Sequence, residues 1–147
     1  MTGKFDHVIN KYRHRFFEEK FKNIKVNFPE GPYLIKINET KVIKMNQLIT
    51  SLQFHKSHST RAIQQLADNL YITKEIDPED QRGYILRITE AGSLVANKVL
   101  SVFQEWEELI MSVVSEEEKI VIDNIQNKMY VKVKEYFGEE VQDEKNL

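Results

Sequence analysis

Between Tyr71 and Ile88 two β-prone runs, Tyr71–Ile76 and Tyr84–Ile88, flank the segment Asp77-Pro78-Glu79-Asp80-Gln81-Arg82-Gly83. Asp, Pro and Gly in that density favour a turn, and the alternating Ile85-Leu86-Arg87-Ile88 favours a strand with one face covered. The reading is a β-hairpin with a charged tip. What precedes it restricts the fold further. Asn46 is placed to cap a helix carrying Leu48, Ile49 and Leu52. A turn through Gln53-Phe54-His55-Lys56 leads to a second helix with Ile63, Leu66 and Leu70 on its buried face. Two short helices joined by a tight turn make a helix-turn-helix, and with a hairpin directly after it the pattern is a winged helix.

Long amphipathic segments flank this unit. From Asp6 to Phe21 a helix is expected, with Phe5, Ile9, Tyr12 and Phe16 at spacings of 4, 3 and 4. Asn27-Phe28-Pro29-Glu30-Gly31-Pro32 breaks the chain, and Pro32 opens a short helix to about Asn38. Lys41–Met45 reads as a short extended stretch. From Thr89 to Val113, Ala91, Val95, Val99, Val102, Trp106, Leu109 and Val113 form one apolar stripe. Ser115 and Glu118 then have capping-box spacing before a last helix with Ile122, Ile125, Met129, Val133 and Tyr136, ending near Gly138. The fold class is therefore mainly α with a small β-hairpin (α+β). Its 147 residues suit one domain, with an N-terminal helix at 4–22, the winged helix at 32–88, C-terminal helices at 89–137 and an acidic tail at 138–147.

Net charge is −2, but the charge is segregated. From Thr40 to Ala67 there is no Asp or Glu, although 23 of 147 residues are acidic and an even spread would place about four there. The stretch carries Lys41, Lys44, Lys56 and Arg61, with His55 and His58. A solvated face has such a composition, and so does a phosphate-binding surface.

Residues Gln47 to Gly92 resemble the MarR family of bacterial winged-helix transcriptional regulators. The match lies in Gln47-Leu48-Ile49 through Ser57-His58-Ser59-Thr60-Arg61, in the wing segment Asp77–Gly83 with its Asp80-x-Arg82 signature, and in the junction Leu86-Arg87-Ile88-Thr89-Glu90-Ala91-Gly92. There are departures. Ile49 replaces a small residue, Gln53 replaces Gly in the turn, and His55 stands where Ser or Asp is a common cap. Leu70 replaces Gly before Tyr71, so Asn69 or Leu70 must end the helix without glycine's freedom at positive φ.

The resemblance implies a cytoplasmic, sequence-specific regulator of transcription, more often a repressor, binding a pseudo-palindromic operator in double-stranded DNA as a homodimer through the flanking helices. It implies that Lys56, Ser57, His58, Thr60 and Arg61 meet the major groove and that Asp80 holds Arg82 towards a minor groove. Outside this context the same residues describe an ordinary polar helix face and a solvated turn. A small aromatic or anionic effector is implied in a cleft where Tyr12, Arg15 and Phe16 could sit, with Arg15 pairing a carboxylate, although ordinary core and surface roles suit these three as well. The alternative is a winged-helix protein-protein interaction module without DNA binding.

The chain has no Cys, which removes disulfides, thiolate zinc sites, cysteine nucleophiles and thiol redox sensing. His55 and His58 are spaced like metal ligands on one helix turn, and His7 and His14 share a face of the first helix, but there is no Cys and no matched carboxylate nearby, and no metal or other cofactor is expected. No phosphate loop or nucleophile motif suggests an enzyme. No apolar run approaches the roughly 18 residues of a membrane span, and Met1–Tyr12 lacks the apolar stretch of a signal peptide.

Overall fold

The computed structural model describes residues 3–52 and 56–139. The elements are α1 (Gly3–Lys20), a 3-10 turn (Phe28–Glu30), α2 (Gly31–Thr40), β1 (Val42–Lys44), α3 (Met45–Leu52), α4 (Lys56–Asp68), β2 (Ile72–Asp77), β3 (Asp80–Ile88), α5 (Glu90–Met111) and α6 (Glu116–Phe137). The chain divides into two compact units, residues 1–107 and 108–147. Among the described residues no helix is long and apolar enough to cross a membrane.

In the first unit α2, α3 and α4 pack around Tyr33, Leu34, Ile37, Leu48, Ile63 and Leu66, all fully buried. A three-stranded antiparallel sheet of order β1-β3-β2 closes one side. The extended stretch expected at 41–45 is thus a third strand, with Val42 opposite Arg87 and Lys44 opposite Ile85. The hairpin is tighter than its sequence suggests. Asp77 pairs with Asp80, so only Pro78 and Glu79 form the turn, and Asp80–Gly83 belong to β3. A register shift falls between Ile76 and Asp77, so that Gln81, Arg82 and Gly83 of β3 have no partner on β2.

Other expectations shift by a residue. α3 starts at Met45, one residue before Asn46. On α1 the stripe expected from spacing is mostly outside the unit's core: Phe5, Ile9 and Tyr12 are exposed, and Phe17 and Phe21 are buried instead. Phe17 packs tilted against Phe28 and Phe103 at ring-centroid distances of 4.6 and 4.7 Å. On α5 Gly92, Ala96 and Val99 are buried; Val99 lies on the expected stripe, whose Val95, Val102 and Trp106 pack partly buried against the core, while Gly92 and Ala96 stand one residue beyond Ala91 and Val95. Leu70 is exposed; it ends α4 with φ of +60°, a conformation uncommon without glycine.

In the second unit α6 is capped at both ends. The Ser115 hydroxyl accepts the Glu118 N–H at 3.2 Å, and the Glu118 carboxylate accepts the Ser115 N–H at 2.9 Å. Gly138 closes the helix in the left-handed region at φ +66°. No residue of α6 is buried. The turn Gln53-Phe54-His55 and residues 140–147 of the acidic tail lie outside the described residues.

Candidate nucleic-acid interface

Helix α4 separates its residues by face. Ser59, Ala62, Ile63 and Leu66 are buried, at the three- and four-residue spacing of one helical side. Lys56, Ser57, His58, Thr60 and Arg61 are all exposed. This outward surface has no carboxylate until Asp68, and neither Lys56 nor Arg61 forms an ion pair among the described residues. The Thr60 hydroxyl donates to the Lys56 carbonyl at 2.9 Å, which leaves its lone pairs pointing outward as acceptors.

What fixes α4 in place is a residue that sequence reasoning passed over. The buried Ser59 hydroxyl lies 2.8 Å from the Tyr33 phenol of α2, and the His58 Nδ1 lies 3.4 Å from the same oxygen. Burial pushes the Tyr33 phenol above its ordinary pKa, with the Ser59 hydrogen bond opposing, so it stays a neutral hydrogen-bonding group. Ser59 could have been separated from the hydroxyls around it, because it precedes Ala62 and Ile63 by three and four residues.

The wing is held by side chains accepting backbone hydrogens. Asp77, 3% exposed, accepts the Glu79 N–H at 2.9 Å. Its other oxygen lies 3.2 Å from the Lys44 ammonium, which also donates to Glu79 at 3.0 Å. Asp80 accepts the Arg82 backbone N–H at 3.0 Å. The expected carboxylate–guanidinium pair between Asp80 and Arg82 is not formed. Asp80 orders the backbone of Arg82, while the guanidinium has no ion-pair partner among the described residues. A carboxylate two residues before an N–H bonds it in an Asx-type turn more readily than it reaches its neighbour's side chain.

The junction into α5 depends on Thr89 and Gly92. The Thr89 hydroxyl hydrogen is shared between the Leu70 and Tyr71 carbonyls at 2.8 and 3.0 Å, and its oxygen accepts the Gly92 N–H at 2.9 Å. A Cβ at Gly92 would stand 1.9 Å from the Tyr71 carbonyl oxygen, so only glycine permits the approach. This ties the base of the wing and the end of α4 to the start of α5.

The remaining candidates are not brought together. Tyr12 and Arg15 are exposed, with Arg15 bonded to Glu19 on its own helix at 3.1 Å, and Phe16 packs against Phe17 and Trp106. A cavity of about 420 Å³ opens on another side of α1, lined by residues that include His14, Phe17, Glu18, Phe21 and Phe28 but none of those three. Among the described residues no three His, Asp or Glu side chains are grouped to hold a metal ion; His55 lies outside them.

Solved structures share this architecture across most of the chain. A MarR protein from Peptoclostridium difficile DA00132 superposes with a TM-score of 0.77 at 26% identity, over 91% of this chain and 85% of that one. A MarR transcriptional regulator from Methanosarcina mazei Go1 gives 0.75 at 22% identity, over 91% and 90%. The fold is that of the MarR family. A mutant MarR from E.coli complexed with operator DNA shares it at a TM-score of 0.74 and 17% identity, over 86% and 91%. In sequence, the chain is 33% identical over 94 residues to the HTH-type transcriptional regulator BilQ of Clostridioides difficile (strain CD3), covering 63% of this chain and 64% of that protein. Its match to the BilQ of Clostridium symbiosum (strain WAL-14163) is 25% over 87 residues. The chain therefore spans a little under two thirds of these curated relatives. No family model matches it. The BilQ relatives and the Methanosarcina mazei protein are named as transcriptional regulators.

Proposed function

We propose that this chain is a transcriptional regulator of MarR type that binds double-stranded DNA sequence-specifically as a homodimer. The observation that carries the reading is the outward surface of α4, where Lys56, Ser57, His58, Thr60 and Arg61 are exposed with no carboxylate among them. Such a helix enters a major groove with its N-terminal turns, where Arg61 can bond guanine edges and the hydroxyls can bond bases or phosphates. Arg82, at the start of β3, extends towards the sugar-phosphate backbone or a minor groove. The DNA-bound neighbour and the regulators named above support the same assignment.

Homodimerisation is supported by apolar side chains left uncovered. On α1 these are Phe5, Val8, Ile9 and Tyr12, and on α6 Ile125, Met129, Val133, Tyr136 and Phe137; exposed apolar surface of that extent calls for a partner. Two-fold symmetry then matches two recognition helices to a pseudo-palindromic operator with half-sites about one helical turn apart. Repression is the mode this arrangement serves most directly, by occluding a promoter in the cytoplasm. A small aromatic or anionic effector near Tyr12, Arg15 and Phe16 would modulate it, with Arg15 exchanging its Glu19 partner for the ligand's carboxylate.

The test is fluorescence anisotropy with the full chain and duplexes from the region upstream of its own gene, chosen for inverted repeats, at several salt concentrations. Preference for one such duplex over a scrambled one, with log K falling as log salt rises, is the expected result. Equal and negligible binding to both would favour the protein-interaction module.

A further inference from the structure

Charge alone would count Lys44 with Lys56 and Arg61 as a phosphate contact, since all three lie in the acid-free stretch. Its surroundings differ. The Lys44 ammonium lies 3.2 Å from Asp77 and 3.0 Å from Glu79. With two carboxylates against one ammonium the cluster is net negative and would repel a phosphate. Lys44 stands on the edge strand β1, opposite Ile85 of the central strand. Its side chain therefore crosses β3 to reach the end of β2. Gly83 is on the same face as Ile85, two residues away, and presents no side chain in that path; a Cβ there would lie 3.7 Å from the Asp77 Cβ. The contact falls at the register shift between Ile76 and Asp77, beside the two-residue turn.

We propose that Lys44 is a positioning residue for the wing, which it holds through Asp77 and Glu79 so that Arg82 meets the duplex, and that it makes no phosphate contact of its own. The route is short. Lys44 fixes the Asp77 carboxylate, Asp77 accepts the Glu79 N–H, and one residue on, Asp80 accepts the Arg82 N–H. The three strands are thereby tied at the point where pairing is irregular. The ionisation of both groups agrees: hydrogen bonding to Glu79 and then Asp77 raises the Lys44 pKa, and the Glu79 N–H together with Lys44 outweighs burial in lowering that of Asp77. The effect on DNA rests on the DNA-binding reading above; the effect on the wing does not.

The experiment is a double-mutant cycle with a DNA-free arm. Lys44→Met, Arg82→Ala and the double variant are titrated with operator by anisotropy at several salt concentrations, with Lys44→Arg as the conservative control. Each single variant should lose roughly tenfold in affinity and flatten the salt dependence alike, while the double loses the same tenfold and not a hundredfold. Lys44→Arg should stay near the parent. Losses that multiply would make Lys44 an independent phosphate contact and overturn the proposal. Without DNA, amide hydrogen exchange at Glu79 and Arg82 should quicken in Lys44→Met, and in Asp77→Asn as a second variant, but not in Arg82→Ala. Unchanged exchange at both amides in both variants would also overturn it. Were the parent chain to bind no DNA, the DNA-binding reading would fall, and the exchange arm would still decide whether Lys44 orders the wing.

Discussion

The wing and helix α6 are ordered by opposite means. The residues that frame the wing are tied to something distant in sequence or to the backbone beside them. Asp77 bonds to Lys44, Asp80 to the Arg82 amide, Lys74 to Gln64 of α4 at 3.2 Å, and Thr89 to the end of α4. Helix α6 depends on local devices, a capping box at Ser115 and a left-handed Gly138, and none of its residues is buried. Local devices contribute about a kcal/mol each, and an isolated helix is marginal without an apolar face to cover. The wing is thus completed inside one chain, whereas α6 leaves Ile125, Met129, Val133 and Tyr136 exposed. That contrast separates the surface proposed for DNA from the surface proposed for a second copy.

The sharpest way to break the comparison is to remove α6. Truncation after Val114 should turn the dimer into a monomer by analytical ultracentrifugation and leave the wing folded by NMR. Operator affinity should fall by roughly 10²-fold or more, because the second half-site would no longer bind as part of one molecule. A truncated chain that stays dimeric with unchanged affinity would remove α6 from the interface.

The opposite manipulation strikes the wing's attachment. Gly92→Ala places a methyl group 1.9 Å from the Tyr71 carbonyl, against backbone that cannot step aside. The cost should reach or exceed the roughly 1–3 kcal/mol of ordinary overpacking, read as a lower Tm. Little change in Tm would mean that the start of α5 can move away from the wing freely.

Next in size are the two arginines. Arg61→Ala should cost roughly 1–3 kcal/mol on the operator and relax preference at one position per half-site, as expected for a base contact. Arg82→Ala should weaken operator and scrambled duplex more evenly, and lower the slope of log K against log salt by about 0.9 for each phosphate no longer neutralised. If neither substitution changes affinity or slope, this face does not bind DNA.

The same contrast explains what can be read from the sequence. The hairpin, the helix pair and the Ser115 cap all follow from signals within a few residues. The buried face of α1 lies one residue from the expected stripe, and that of α5 takes in Gly92 and Ala96 beside the expected Val99, because several apolar side chains surround each helix. Periodicity does not say which of them serves the chain's own core: Phe17 does, while Tyr12 does not. The hairpin turn is shorter than its polar sequence suggests, since Asp77 pairs with Asp80 across the tip, a contact that no local residue preference announces. On the candidate interface, the exposure of Lys56, Ser57, Thr60 and Arg61 is legible from composition. The Tyr33–Ser59 bond and the Lys44 clamp are not, since each joins residues separated by 26 or more positions.

The smallest effect expected is also the most local, the pH dependence of the Lys44–Asp77 pair. Asp77 has a folded-state pKa below its ordinary value, set first by the Glu79 N–H it accepts and then by Lys44. A lowered acid stabilises the fold fully above its unfolded pKa, about 3.9, and that contribution is lost as pH falls through the lower folded value. Lys44 is shifted up, so its share is complete below about 10.4 and is lost as pH rises through its higher folded value. Between those limits the pair is fully formed. Thermal melts of the parent chain and Asp77→Asn should therefore differ by a constant, modest amount from pH 5 to pH 9, the exposure of Lys44 keeping the pair weak. Below about pH 4 the two curves should converge, because the parent then protonates the carboxylate that the variant lacks. Curves that stay parallel down to pH 3 would mean that the Asp77 charge contributes nothing to the wing, and that its backbone hydrogen bond to Glu79 is enough to hold the turn.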